Sequence, residues 1–406
     1  MTASTDAPNA SAPLDQERSA PTADPQSADA STGAETGPKV TTSGPTCFRW
    51  AGGPGVKRVN LALQGGGAHG AFTWGVLDAI LENPKIEIES ISGTSAGAMN
   101  AAVMAAGISY GGREGGRAAL ETFWREVSRE AALSPIQRTF FDVLTANWSL
   151  EMNPALAAFD VMSRVVSPYQ FNPLNWNPLL DIVSRMVDFE AVQACQCVQL
   201  FVSATNVNTG RLHIFTGDKV TPHAVMASAC LPWLFQAVEI DGVPYWDGGY
   251  MGNPVLSPFF SCCRSRDIVI VQVNPIARAE TPRTAREIQD RVNEISFNAP
   301  LIRELRHVAF INGCLQRGEL GDLDYREVFL HRIGGSELDD FGASTKLNAE
   351  WAFLTHLRDI GREAAQNWFA ANHESLGEKS TLQLSAMGVQ PSPIIGEHAG
   401  GAPADR

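Results

Sequence analysis

The feature that most constrains the fold is an apolar run, Val59 to Gln64, that leads directly into the glycine-rich stretch GGGAHG and then into a helical pattern. Apolar residues without polar alternation are typical of a strand covered on both faces, as in parallel sheets between helices. The next residues, AFTWGVLDAILEN, form one apolar helix face from Phe72, Val76, Ala79 and Ile80. A buried strand, a tight loop and a helix in this order predict an α/β fold.

The same alternation of strands and helices continues along the chain. Further strands are predicted at 86–93, 198–206, 211–215 and 267–275, with a turn at 208–210 between the second and third. Further helices are predicted at 95–107, 117–131 and 344–373, the last with Ser344 or Thr345 as its cap. This order predicts an α/β domain with a central, largely parallel sheet between helices.

One stretch, Leu144 to Leu180, breaks the alternation. Its aromatic and methionine side chains fall between prolines and asparagines: Trp148, Met152, Phe159, Met162, Tyr169, Phe171 and Trp176. Such a mixture is typical of a loop-rich helical cap segment over an apolar channel, and ordinary core packing is the alternative for any single residue. We therefore expect a cap segment inserted in the domain.

Charge and cysteine content narrow the class of protein. The formal net charge is −13, whereas nucleic-acid binding requires clustered Lys and Arg, so no nucleic-acid partner is expected. No apolar run approaches the ~20 residues of a membrane helix, and the first residues lack the basic start and apolar core of a signal peptide. Seven cysteines, an odd number without zinc-site spacing, predict reduced thiols in a cytoplasmic protein and no metal.

The two ends of the chain differ in composition from its middle. Residues 1–55 are rich in Ala, Ser, Thr, Pro and Asp and show no apolar periodicity, and the chain loosens again from residue 373 to residue 406. Such compositions cannot bury enough apolar surface to offset the entropy of ordering. We expect a disordered N-terminal tail at 1–55, a folded domain at 56–372 and a disordered C-terminal tail at 373–406.

The glycine loop itself has two readings. Gly65, Gly67 and Gly70 satisfy the G-x-G-x-x-G spacing of a dinucleotide-binding loop, and Glu87 and Glu89 lie about 20 residues further on, where an acid would bind a ribose. The same loop could instead offer backbone N–H groups to an oxyanion formed during a reaction. The spacing alone leaves both readings open.

A second motif, Gly93-Thr94-Ser95-Ala96-Gly97, matches G-x-S-x-G between the predicted strand 86–93 and a helix of small residues. A serine on such a tight strand-to-helix turn exposes its hydroxyl at a helix N-terminus, where the helix dipole favours negative charge. Side chains at Gly93 and Gly97 would clash in so sharp a turn. The alternative is a serine that only caps the helix.

A nucleophilic serine needs a base. The late histidines lie in helical or strand patterns that give none of them a special context: His307, His331, His356, His373 and His398. A more distinctive candidate is Asp247, which follows a hairpin with Asp241-Gly242 at its turn and precedes Gly248 and Gly249. The alternative for Asp247 is a simple Asx-turn.

Together the three motifs resemble the patatin-like phospholipase family over about 56–372, and the segment SPYQFNPLNWNP, Ser167 to Pro178, is similar to one in its bacterial members. The resemblance implies that Ser95 is the nucleophile and Asp247 the base of a dyad. It also implies an oxyanion hole formed by the loop backbone and a set of supporting motif positions: Gly65, Gly66, Gly67 and Ala68 for the hole, and His69, Gly70, Gly93, Gly97, Gly248 and Gly249 in support. One departure is His69, where the family often has Arg or Lys.

The resemblance further implies a serine lipid acyl hydrolase, a phospholipase A-like esterase that works through an acyl-enzyme without cofactor or metal. The expected partner is a lipid ester substrate, with peripheral contact to a membrane or lipid granule. Two other interpretations stay open: a dinucleotide-binding enzyme of the NAD type, and a non-catalytic lipid- or membrane-associated scaffold of the same fold.

Overall fold

The computed structural model describes residues 47–320 and 326–384, so most of the tails predicted at 1–55 and 373–406, namely 1–46 and 385–406, lies outside the described residues. The described residues form eight strands: β1 (Lys57–Leu63), β2 (Ile86–Gly93), β3 (Gln199–Asn206), β4 (Leu212–Thr216), β5 (Val238–Ile240), β6 (Val243–Asp247), β7 (Asp267–Gln272) and β8 (Phe329–Gly334). They also form eleven α-helices: α1 (Gly70–Glu82), α2 (Ala96–Ala131), α3 (Phe140–Leu144), α4 (Pro154–Met162), α5 (Pro168–Phe171), α6 (Pro178–Met186), α7 (Phe189–Cys195), α8 (Pro222–Ser228), α9 (Pro258–Cys262), α10 (Ala285–Gln316) and α11 (Trp351–Asn372).

The strands form one mixed sheet in the order β5-β6-β3-β2-β1-β7-β8, with β4 paired to β3. The four central pairings, β3–β2, β2–β1, β1–β7 and β7–β8, are parallel, while β4, β5 and β6 are antiparallel additions at one end. The predicted α/β fold with a largely parallel sheet is therefore confirmed. The carboxyl ends of β1, β2 and β7 lie at one edge, which is where open α/β sheets hold their sites.

Two apolar clusters cover the two faces of the sheet. In β7, Val269 and Val271 point into the larger cluster with α1, α2 and α11, whereas Ile268 and Ile270 point into a smaller cluster with α9 and α10. Alternate side chains of one strand thus serve opposite layers, as the period of two requires. This double coverage explains the continuous apolar runs in the sequence.

Three details differ from the sequence prediction. The last long helix begins at Trp351 with Glu350 as its N-cap, because 343–347 form a separate 3₁₀ turn instead of the first turn of the helix. The helices predicted at 95–107 and 117–131 are joined in α2, which is kinked at Gly111 and Gly112.

The third difference concerns the tail boundaries. Within the described residues, 47–55 and 373–384 contact the domain: the Trp50 indole donates to the Cys197 carbonyl at 2.9 Å, Leu376 is fully buried, and the Thr381 N–H donates to Leu330 O at 3.0 Å. The prediction from composition missed these contacts because single apolar residues such as Trp50 and Leu376 do not change the average composition of a polar stretch.

Helices α3 to α7 form the loop-rich helical segment between α2 and β3, and it carries large apolar side chains that are exposed. Phe140 and Leu174 are 84% and 91% exposed, far more than is usual for such residues. Among the described residues, no helix is both long enough and apolar enough to cross a membrane.

Candidate active site

Ser95 occupies the turn between β2 and α2. Its backbone has φ 54° and ψ −122°, a region that side-chain-bearing residues rarely adopt and that marks strained functional turns. The Ser95 N–H donates to the Ser228 hydroxyl at 2.9 Å, which helps to hold this conformation. The Ser95 side chain is half-buried at the N-terminus of α2, so its hydroxyl is within reach of a substrate.

The register of β3 explains why Asp247 lies near this turn. Strand β3 pairs with β2 through residues 199–202 and with β6 through residues 204–206, and its pairing with β4 through residues 201–205 overlaps both stretches. Strand β4 therefore lies along one edge of β3, and β2 and β6 lie along the other edge. Val202 is opposite Gly93, the last residue of β2, and Ala204, two residues on, is opposite Asp247. Strand β6 therefore runs head-on toward the end of β2, and Asp247 is level with the residue two positions beyond Gly93, which is Ser95.

The Asp247 carboxyl is buried and only half satisfied. Its Oδ1 accepts the Gly249 N–H at 2.7 Å, while Oδ2 meets no hydrogen-bond donor in good geometry among the described residues. Burial raises the pKa of Asp247 to about 7, against smaller lowering effects of the Gly249 N–H and the Ser95 hydroxyl. At neutral pH this carboxyl is poised between its charged and neutral forms.

The backbone around Asp247 is anchored on both sides. Its N–H donates to the Cys230 carbonyl at 2.8 Å, and its carbonyl accepts the Thr205 hydroxyl at 2.8 Å. A β-carbon on Gly248 would lie 2.3 Å from Ser203 O, and one on Gly249 would lie 2.2 Å from the Phe297 ring. The two glycines are therefore required by close packing.

The glycine loop contacts the nucleophile turn directly. A β-carbon on Gly65 would lie 2.6 Å from the Ser95 Cβ, and Gly67 has φ +59°, which favours glycine. Gly66 and Gly67 are partly accessible, and the N–H groups of Gly66, Gly67 and Ala68 have no acceptor among the described residues. These groups can therefore receive an anion beside Ser95.

The N–H group of Gly65, which the resemblance assigns to the oxyanion hole, is already bonded within the protein. Gly65 is buried, and its N–H donates to the Asn253 side-chain oxygen at 2.7 Å. A donor already held by a buried amide is not open to an oxyanion, so Gly65 acts as an anchor of the loop. Three other motif glycines are also closely packed. An added β-carbon would lie 2.7 Å from the Ala96 Cβ at Gly70, 2.7 Å from the Gly97 carbonyl oxygen at Gly93, and 2.4 Å from the Leu63 carbonyl oxygen at Gly97.

A buried amide network, not predicted from the motifs, holds the loop. The Gln64 side chain donates to Asn253 O at 3.1 Å and accepts the Val273 and Asn274 N–H groups at 3.0 Å each. The Asn274 side chain donates to Gly65 O at 2.7 Å. Gln64 directly follows β1, and Asn274 follows β7 by two positions. The signal in the sequence for this network is therefore a polar residue close behind a buried strand.

His69 is a neutral anchor. The Thr345 hydroxyl donates its proton to Gly342 O at 2.7 Å, so at the 2.7 Å contact between His69 Nε2 and Thr345 Oγ1 the imidazole must donate. Burial, with the nearby charges of Lys346 and Arg278, holds the pKa of His69 well below its ordinary value. His69 therefore ties the glycine loop to the 343–347 turn without supplying a charge.

The late histidines do not contact Ser95 within the described part of the chain. His331 is fully buried and bonded to Asp267 and Thr381, His356 stacks on Trp148, His307 is exposed, and His373 lies beside Glu374. His398 lies outside the described residues. Among the described residues, Asp247 is the carboxyl that the strand register brings level with Ser95.

A groove of about 440 Å³ opens between the cap segment and α10. Two parts of its wall also contact the Asp247 turn. Helix α10 carries Phe297, which contacts Gly249, and Trp233 follows by three positions Cys230, whose carbonyl accepts the Asp247 N–H. Its lining combines apolar side chains with charged groups at the rim, among them Leu156, Phe159, Trp233, Leu234, Arg164 and Asp290.

Comparison with known proteins agrees with these observations. Residues 61–260 match the family model described as patatin-like phospholipase. No curated protein sequence matches the chain.

Solved structures give weaker likenesses. One is VipD from Legionella pneumophila, with 15% identity and a TM-score of 0.30, covering 75% of this chain and 67% of that one. Another is the type III effector protein ExoU, which is also recorded in complex with SpcU from Pseudomonas aeruginosa. It has 15% identity and a TM-score of 0.28, and it covers 79% of this chain. This chain spans only 54% of that ExoU structure.

Because these TM-scores are low, the assignment rests on the family model, whose matched range 61–260 contains the positions of Ser95 and Asp247. Residues 61–260 of this chain belong to the patatin-like phospholipase family.

Proposed function

We propose that the chain is a serine lipid acyl hydrolase that uses a Ser95–Asp247 dyad. The observation that carries this proposal is the Asp247 carboxyl: it is buried at the end of β6 beside the Ser95 turn, with a free Oδ2 and a pKa of about 7. A general base works best when its pKa lies near the operating pH. An exposed aspartate, with a pKa near 4, would be a poor base for a serine hydroxyl.

Acylation would begin when Asp247 takes the proton of the Ser95 hydroxyl as the Ser95 oxygen attacks the ester carbonyl. The negative charge then moves to the carbonyl oxygen, and the leaving alcohol or lysolipid takes the proton from Asp247 as the ester bond breaks. Water next attacks the acyl-enzyme, with Asp247 again acting as base, and Ser95 regains its proton.

The oxyanion would be held by the N–H groups of Gly66, Gly67 and Ala68, which have no acceptor among the described residues. Such a donor typically lowers the barrier by about 3 kcal/mol. The N-terminus of α2 adds a favourable dipole at the same place. Gly65 contributes by positioning, because its own N–H is bound to Asn253.

A lipid ester fits the surroundings of the site. The groove beside α10 is lined partly by Leu156, Phe159 and Leu234, which suit an acyl chain. The cap segment exposes large apolar side chains, including Tyr169 and Trp176, and aromatic side chains of this amphipathic kind favour the boundary between water and lipid. We propose peripheral contact of this segment with a membrane or lipid granule.

The positions of Glu87 and Glu89 argue against the dinucleotide interpretation. Glu87 lies at the start of β2, six residues before Gly93, so about 20 Å of strand separates it from the glycine loop. Its carboxylate is occupied by Arg58 at 3.1 Å and by the Gly52 N–H at 2.6 Å. Glu89 accepts the N–H groups of Arg264 and Ser265 at 2.8 and 2.7 Å. Saturable binding in a fluorescence titration with NADH would revive this interpretation.

Covalent labelling separates an enzyme from a scaffold. We expect a fluorophosphonate probe to label the wild-type chain and the control Ser128→Ala, which alters a half-buried serine near the other end of α2. Labelling should disappear in Ser95→Ala. Asp247→Asn should abolish ester hydrolysis while the protein stays folded, as judged by circular dichroism. An unlabelled wild-type chain, or near-normal turnover by Asp247→Asn, would refute the dyad.

A further inference from the structure

Three thiols meet on the side of the domain formed by α2, α7 and the start of β3. Cys47 is exposed, Cys195 is the last residue of α7, and Cys197 follows two positions later; both of the latter are half-buried. The sulfur atoms of Cys47 and Cys195 are 2.6 Å apart, although 148 positions separate them in the chain. Sequence spacing had given no reason to pair them.

The segment that carries Cys47 is held by contacts that do not involve sulfur. The Trp50 indole donates to Cys197 O at 2.9 Å, the Arg113 guanidinium lies 4.8 Å from the centre of the Trp50 ring, and Phe48 packs edge-on against Trp50. A β-carbon on Gly112 would come within 2.9 Å of the Phe48 ring. The kink of α2 therefore forms the surface on which the segment that carries Cys47 packs.

Helix α7, which carries Cys195, is also held in place by specific hydrogen bonds. Asp188 caps α7 by accepting the Ala191 N–H at 2.9 Å, and its other oxygen accepts the Tyr110 hydroxyl of α2. Helix α7 is therefore attached to α2 near its kink, and Cys195 at its end has a defined position. Two independently anchored segments bring the thiols together.

A metal site is not the explanation for this cluster. Three thiols would need a further ligand for tetrahedral zinc, and within 47–320 and 326–384 no group of three or more His, Cys, Asp or Glu side chains is arranged to hold a metal ion. Bond formation requires the two sulfurs to approach from 2.6 Å to about 2.05 Å, which is a small change in their separation.

We propose that Cys47 and Cys195 form a reversible disulfide that clamps the N-terminal segment 47–55 to the domain. With glutathione disulfide as the oxidant, a thiolate of the pair attacks the glutathione disulfide bond and releases one glutathione. The second thiolate then displaces the other glutathione, so that two cysteine thiols are oxidised and one disulfide is reduced to two thiols. Glutathione in excess reverses both steps.

Peptide mapping tests the pairing on the full-length chain. The purified protein is equilibrated at a series of glutathione to glutathione disulfide ratios, free thiols are blocked, and tryptic peptides are analysed without reduction. We expect the peptide 40–49, which contains Cys47, linked to the peptide 186–211. Because Cys195 and Cys197 share the second peptide, the link must persist in Cys197→Ser and disappear in Cys195→Ser.

Thermal unfolding gives a second readout. Closing so long a loop restricts the unfolded chain, so the oxidised wild type should have a higher Tm than the reduced form. The difference should vanish in Cys47→Ser and persist in the matched control Cys197→Ser. A link from Cys47 to Cys197, intermolecular links alone, or no link at the most oxidising ratio would overturn the proposal. Ester hydrolysis plays no part in either measurement.

Discussion

The Asn253 side chain accepts the Gly65 N–H at 2.7 Å and thereby removes the first donor of the glycine loop from the set open to substrate. Asn253 is fully buried, and its backbone carbonyl also accepts the Gln64 side chain. Through these two bonds the residue following the Asp-Gly-Gly turn by four positions fixes the loop that lies against Ser95. Asn253 thus connects the segment that follows Asp247 with the glycine loop.

Asn253→Ala should therefore damage catalysis without altering any reacting group. Displacement of the loop by a fraction of an ångström is expected to lower kcat up to about 100-fold with little change in KM. The unpaired Gly65 N–H should also cost about 1–3 kcal/mol in the free energy of unfolding. Steady-state kinetics on a soluble ester and urea unfolding measure the two effects.

The matched control is Asn312→Ala, since Asn312 lies on α10 away from the loop and its side-chain oxygen likewise accepts a backbone N–H, that of Val328, at 3.3 Å. It should lose stability and keep its kcat. An Asn253→Ala enzyme with unchanged kcat would show that the loop does not depend on this anchor.

The pH dependence of catalysis should report the carboxyl of Asp247. Its pKa is raised to about 7, and the base must be ionised, so kcat/KM should rise tenfold per pH unit below about 7 and level off above it. An aspartate near its ordinary pKa would instead give a flat profile over the same range. The measurement is kcat/KM of the free enzyme between about pH 5 and 9, with circular dichroism at each pH to exclude unfolding.

Much of the site could be predicted because its motifs are local. The glycine loop and G-x-S-x-G each follow a buried strand, and parallel strands end at the same sheet edge. Asp247 was identified by its glycines, but its position depends on β6 entering antiparallel beyond the end of β2, which no local pattern reveals. Asn253 and Ser228 carry no motif at all, because their importance arises only from contacts between distant segments.

Ser228 offers a test of the strained turn. Its hydroxyl accepts the Ser95 N–H at 2.9 Å, and it lies fully buried at the end of α8. Ser228→Ala removes one hydrogen bond, which is worth about 1 kcal/mol, so a reduction of about 5- to 10-fold in kcat and in the rate of fluorophosphonate labelling is expected. Ser109→Ala alters a buried α2 serine that is bonded to the Ala105 carbonyl of its own helix and to the Cys197 sulfur, and it should leave both rates unchanged. Equal labelling rates for Ser228→Ala and wild type would argue against this support.

A permanent cation at position 69 should not be tolerated in this chain. The imidazole is buried, and Lys346 and Arg278 already lower its pKa, so His69→Lys would place a third positive charge among them. We expect a loss on the order of 3 kcal/mol in the free energy of unfolding, because the new charge is buried without a partner. His69→Gln, which is neutral and keeps a donor for Thr345, is the control and should lose much less.

A double-mutant cycle identifies the source of the effect. Lys346 donates to the Asn274 side chain at 2.8 Å, and that side chain donates to Gly65 O at 2.7 Å, so the Lys346 ammonium lies close to the glycine loop. If charge repulsion explains the loss, His69→Lys should cost less in a Lys346→Met background than in wild type. Urea unfolding of the four proteins measures the coupling. Equal costs in both backgrounds would mean that repulsion by Lys346 does not contribute to the loss.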